Sequence, residues 1–164
     1  MRPKLIWRVA KGRICMDSNQ IIKEVYNGTI QSIKNVIPLS CSIGQPKVLE
    51  TPIQVELGVL IGFTGDIKGE LLVKGEKKLV GAIGEAMFGM HLSDDMLDSF
   101  TGELGNMIAG GLSTNLSTNG IQTDITHPTV LNGNVKLSGY KRALLVDVDY
   151  DSIGKLEVYL LLND

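Results

Sequence analysis

The feature that most constrains this chain is a helical pattern over 94–116 that carries four glycines, Gly102, Gly105, Gly110 and Gly111. Glycine inside a helix costs roughly 0.5–1 kcal/mol relative to alanine. A helix that keeps four of them needs close packing, or the close approach of another molecule, to offset the loss. At about 100° per residue, Ser99, Glu103, Asn106 and Gly110 share an arc of about 60°, while Leu97, Phe100, Leu104 and Ile108 cluster on the other side. The helix therefore has a core face and a face that presents a carboxylate and an amide one turn apart. Gly111 falls on the core side, where helix-to-sheet packing explains it. Gly102 and Gly110 fall near the polar stripe, where a partner's backbone approaching the helix explains them at least as well as packing does.

The pattern around this segment predicts an α+β fold. A first amphipathic helix begins at Asp17, with Gln20 at the capping-box position and Ile21, Val25, Ile33 and Ile37 among its apolar residues, and Pro38 closes it. Strands are expected over 41–48 and 53–63, separated by Pro46 and Pro52, and Gly65-Asp66 with Gly69 marks a hairpin between 55–63 and 70–73. A helix over 76–90 places Leu79, Val80, Ile83, Met87 and Phe88 on one stripe. The glycine-bearing helix starts at Ser93 or Asp94 and stops near Leu116, before Asn119-Gly120. Strands follow over 121–125, 134–137, 143–148 and 155–162, and the alternation in the last two predicts antiparallel neighbours with one buried face. The strand over 155–162 is expected at an edge that needs covering. The resulting architecture is α+β, with long helices packed on an antiparallel sheet.

Composition narrows the class. The chain has 164 residues, 43% of them hydrophobic, which suits one core in a single domain over 16–164. Residues 1–15 form a basic extension with Arg2, Lys4, Arg8, Lys11 and Arg13, either flexible or a vector-derived remnant, and Met16 is a second plausible start. A net charge of −2 offers no general pull towards nucleic acid, and no apolar run approaches the roughly 20 residues that cross a bilayer, so neither nucleic acid nor membrane is expected as a partner. Cys15 and Cys41 form no CxxC pair, and His91 and His127 are the only histidines, so no metal ligand set has recognised spacing. Isolated thiols without a secretory signal imply the cytoplasm. There is no Ser-His-Asp string, no phosphate-binding glycine loop after a strand and no carboxylate cluster, which removes support for a small-molecule enzyme.

The string Ser99, Glu103, Asn106, followed by Pro128 22 positions after the Asn, resembles the motif of the CheC, CheX and FliY family of chemotaxis phosphatases. The run Gly102-Glu103-Leu104-Gly105-Asn106-Met107 with Ala109-Gly110 is most similar to the single-site CheX branch, and the order of elements agrees over nearly the whole chain except the basic extension. The resemblance implies that the substrate is a phosphorylated CheY-type response regulator whose aspartyl phosphate is hydrolysed by water. It further implies that Glu103 docks onto the regulator and that Asn106 positions the attacking water. Ser99, Gly102, Gly110 and Pro128 would face the partner, Pro128 chiefly by shaping the fold beside the site. No cofactor is expected on this chain, and the Mg²⁺ would come with the regulator. A homodimer through the sheet is implied as well. Glu24 and Asn27 repeat the Glu-x-x-Asn spacing on the first helix, but Leu49 stands where a proline would be, so that pair reads as a solvated face. The competing reading is a non-enzymatic interaction module of the flagellar-switch type, which shares the architecture.

Overall fold

The computed structural model describes residues 18–162, so the basic extension over 1–15 lies outside the described residues. Helix α1 (Ser18–Val36) is followed by strands β1 (Ser42–Ile43), β2 (Lys47–Leu49), β3 (Ile53–Gly65) and β4 (Gly69–Gly75). Helices α2 (Lys77–Phe88) and α3 (Asp94–Thr118) come next, and then β5 (Thr123–Ile125), β6 (Thr129–Leu137), β7 (Arg142–Asp149) and β8 (Lys155–Leu162). The helix ends are set by local chemistry. Gly89 adopts a left-handed φ of 72° and its N–H donates to the Glu85 carbonyl, closing α2. The Ser93 side chain accepts from the Met96 N–H, with Asp94 and Asp95 in the first turn of α3 where the helix dipole favours acids. Among the described residues, no helix is long and apolar enough to cross a membrane.

All strand pairs are antiparallel, in the order β1-β7-β8-β4-β3-β5, with β2 also on β7 and β6 also on β3. The helices share one core with one face of this sheet. Ile33 of α1, Ile83 of α2 and Leu104, Ile108 and Leu112 of α3 bury against Leu57, Val59, Ile61, Leu71 and Val158. The fold is thus α+β, with long helices packed on an antiparallel sheet.

Three sequence expectations change. Strand β8 is not an edge: it pairs with β4 on one side and β7 on the other. Nor does it bury one face only. Leu156, Val158 and Leu160 face the helices, and Tyr159 and Leu161 belong to a second buried cluster with Ile53, Val55, Leu72 and Ala143. A central strand covered on both faces reads as a nearly continuous apolar run, which is what the end of β8 shows. Finally, Leu79, Val80 and Ile83 are buried but Phe88 is 54% exposed. Nine residues beyond Leu79, Phe88 lies about 180° round the helix, away from the core stripe.

Candidate functional site

Helix α3 is gripped from two sides, and its glycines show how. A Cβ at Gly105 would lie 2.5 Å from Val59 Cγ1 of β3, and one at Gly102 would lie 3.2 Å from Val130 Cγ2 of β6. A Cβ at Gly111 would collide with the Ser32 hydroxyl of α1. That hydroxyl is buried and donates to the Ile108 carbonyl at 2.7 Å, so the α1–α3 crossing is both close and hydrogen-bonded. Gly111 therefore serves a helix–helix contact, where the sequence suggested helix-to-sheet packing. Gly102 is buried against the sheet and explained by that contact, so it does not present an open surface. Gly110 differs from the other three: among the described residues, a Cβ there would meet nothing within 4 Å.

Between these two grips runs the polar stripe. Ser99, Glu103 and Asn106 are exposed, while Leu97, Phe100, Leu104 and Ile108 are buried beneath them. Among the described residues, neither Glu103 nor Asn106 has a side-chain hydrogen bond or ion pair. Neighbouring polar groups are engaged instead. Asp98 accepts from Asn132 Nδ2 at 2.7 Å, tying α3 to β6, and Ser113 is within 2.9 Å of Thr123 Oγ1 on β5. A carboxylate and an amide are thus carried one turn apart on a firmly packed helix, with their hydrogen-bonding capacity unused among the described residues and open to another molecule.

Pro128 is half-buried in the corner between β5 and β6, both of which contact α3. Thr126 pins this corner to β3, its N–H donating to the Gly62 carbonyl at 2.9 Å and its Oγ1 accepting from the Gly62 N–H at 2.8 Å. The structure therefore gathers Ser99, Glu103, Asn106 and Gly110 on one exposed face and puts Pro128 in the adjoining corner. Glu24 is half-buried and accepts from Asn119 Nδ2 at 3.1 Å, an interhelical tie rather than a solvated group; Asn27 is exposed. His127 and His91 are exposed, and no group of three or more potential metal ligands occurs among the described residues.

Residue periodicity missed one part of this surface. Phe88, Met90 and Met96 are exposed at 54%, 50% and 39%, beside Ser99 and Glu103. The apolar residue after the Gly89 cap gave no warning, because such a residue commonly packs back on the last turn of its helix.

Comparison with known proteins bears on the family and the fold. Residues 57–143 match the family described as chemotaxis phosphatase CheX. The chain is 29% identical over 146 residues to the CheY-P phosphatase CheX of Thermotoga maritima, covering 86% of this chain and 94% of that one. The chemotaxis protein CheX of Desulfovibrio desulfuricans superposes with a TM-score of 0.74 at 23% identity, over 87% of this chain and 99% of that one. A chain of the CheX-CheY-BeF3-Mg²⁺ complex of Borrelia burgdorferi gives 0.73 at 19% identity, over 87% and 97%. With more than half its length matched by the family, and with helices packed on an antiparallel sheet as in those structures, the chain belongs to the CheX family of chemotaxis phosphatases.

Proposed function

We propose that this chain is a phosphatase that hydrolyses the aspartyl phosphate of a CheY-type response regulator, with Asn106 orienting the attacking water and Glu103 docking onto a cationic group of the regulator. The observation that carries the reading is that Glu103 and Asn106 are exposed, and unpartnered among the described residues, on a helix fixed from both sides. The Thermotoga relative, described as a CheY-P phosphatase, supports the substrate class.

The chemistry asks little of the protein beyond position. The water oxygen bonds to phosphorus as the bond to the regulator's aspartyl oxygen breaks, leaving a free carboxylate, and the water's proton leaves with inorganic phosphate. An amide both accepts from and donates to its neighbours, so Asn106 can hold the water in line without acting as a base. Glu103, one turn away, supplies a negative charge where the partner carries a positive one. The divalent ion that neutralises phosphoryl charge belongs to the regulator. The homodimer implied by the family resemblance would have to pair through strands other than β8, which has no free edge.

Glu103→Lys should raise the concentration at half-maximal acceleration of receiver dephosphorylation by about tenfold or more, because it places like charges together. Its rate at saturation should stay within a few-fold of wild type. An unchanged half-saturating concentration would remove the docking role.

Gly110 gives a second test. Gly110→Ala adds a methyl into open space and should raise folding stability by roughly 0.5–1 kcal/mol through helix propensity. It should at the same time weaken receiver binding, because the methyl occupies the space a docked partner needs. Gly81 in α2 is equally open, so Gly81→Ala is the control that stabilises without changing activity. If both alanines stabilise and neither alters receiver binding, Gly110 is not at the interface.

A further inference from the structure

Four large apolar side chains are exposed among the described residues: Val48, Phe88, Met90 and Met96. Three of them stand together around one groove of about 800 Å³, where the exit of α2 meets the first two turns of α3. Isolated exposed apolar residues are ordinary; a cluster of this kind beside a polar site marks an interaction surface. The groove is built on firm supports. Gly84 lies directly under Leu92, so close that a Cβ there would collide with it, and Phe88 meets the buried Phe100 edge-on with ring centroids 5.6 Å apart. Met90 and Met96 form the adaptable part of the wall, since methionine side chains refit to differently shaped partners.

Two features identify the occupant. The groove is continuous with the catalytic face, because Ser99 and Glu103 line both. Among the described residues its charged lining is entirely acidic, consisting of Asp95 and Glu103 with no lysine or arginine. A surface that fits it is an apolar side chain flanked by cationic ones.

Building on the function proposed above, we infer that this groove takes an apolar side chain from the docked receiver, flanked by cationic groups, and that Met90 and Met96 set which receiver is accepted. The polar stripe alone, with one carboxylate and one amide, would recognise any receiver that offers a cation beside its phosphoryl group. The groove adds a requirement that lies outside the reacting centre, so it acts on binding and not on the chemical step.

The test is the rate of decay of a phosphorylated CheY-type receiver, measured across a range of concentrations of the full chain. Met90→Gln with Met96→Gln keeps side-chain length at two exposed positions, and Val48→Gln on β2 is the control for loss of an exposed apolar residue elsewhere. The double variant should raise the half-saturating concentration about tenfold and leave the saturated rate within about twofold. The Val48 variant should match wild type.

An unchanged half-saturating concentration, with wild type active, overturns the groove proposal alone. A lowered one also overturns it, because it would assign the groove to an internal competitor such as the basic segment 1–15. A change in solution mass of the double variant by light scattering would give the groove to a second copy of the chain, with the same consequence. If wild type accelerates no receiver, the functional reading fails and the groove proposal falls with it.

Discussion

Asn106→Ala is expected to lower the saturated rate of receiver dephosphorylation by about 10²–10³-fold while leaving the half-saturating concentration nearly unchanged. The magnitude follows the loss of one preorganised polar group that acts on the reacting atoms. The side chain is exposed and unpartnered within the described residues, so its removal should shift folding stability by no more than about 0.5 kcal/mol. This separates a chemical defect from a folding defect. Asn106→Asp should be no better than alanine despite its similar shape. A carboxylate cannot donate to the water, and it brings a negative charge to the phosphoryl group. Single-turnover decay at saturating protein checks both variants. A rate for Asn106→Ala within about threefold of wild type would contradict the water-positioning role.

Gly105→Leu is expected to be the most damaging single change to the fold, with a loss of roughly 3 kcal/mol or more. The alanine alone would press its Cβ to 2.5 Å from Val59 Cγ1, and a leucine would have to displace β3 from α3. Because β3 also carries the pairings to β4, β5 and β6, the disturbance would spread through half the sheet. Gly105→Ala is the milder probe. Overpacking there should outweigh the gain in helix propensity, and Val59→Ala in the same chain should restore part of the loss by vacating that space. Urea denaturation of the two single variants and the double variant measures this coupling. Strictly additive effects would show that the contact is not what makes Gly105 a glycine.

Local chemistry made most of the fold legible. Pro38, Gly89 and Ser93 mark helix ends through backbone restrictions that operate within a few residues, and the structure ends its helices beside them. Strand order was not legible in this way. The apolar run of β8 is compatible with an edge awaiting a partner and with a central strand, and only the pairing of β4 on its far side decides. Strand β6 begins at Thr129, five residues before its expected start, because Asn132-Gly133-Asn134 breaks the alternation just where the register with β3 shifts between Val55 and Leu57.

The candidate site divides along the same line. Helical periodicity alone puts Ser99, Glu103 and Asn106 on one face, and that face is exposed. Gly102 lies only about 40° beyond Asn106 by the same count, yet it is buried. The difference is the passage of β6 over that side of α3, a long-range fact that no local pattern records. The exposure of Phe88, Met90 and Met96 was not legible for the converse reason: apolar residues at the end or start of a helix read as core, Phe88 with the stripe of α2 among them, unless the tertiary arrangement leaves them uncovered.

Turnover is what separates a phosphatase acting on an aspartyl phosphate from a module that only binds the receiver. Its most direct test is inorganic phosphate release from a phosphorylated CheY-type receiver in excess over the protein. Many phosphates should be released per molecule of wild type, at a rate well above spontaneous decay, with no acceleration by Asn106→Ala. A wild type that binds the receiver without speeding phosphate release would contradict the phosphatase reading and leave an interaction module in its place.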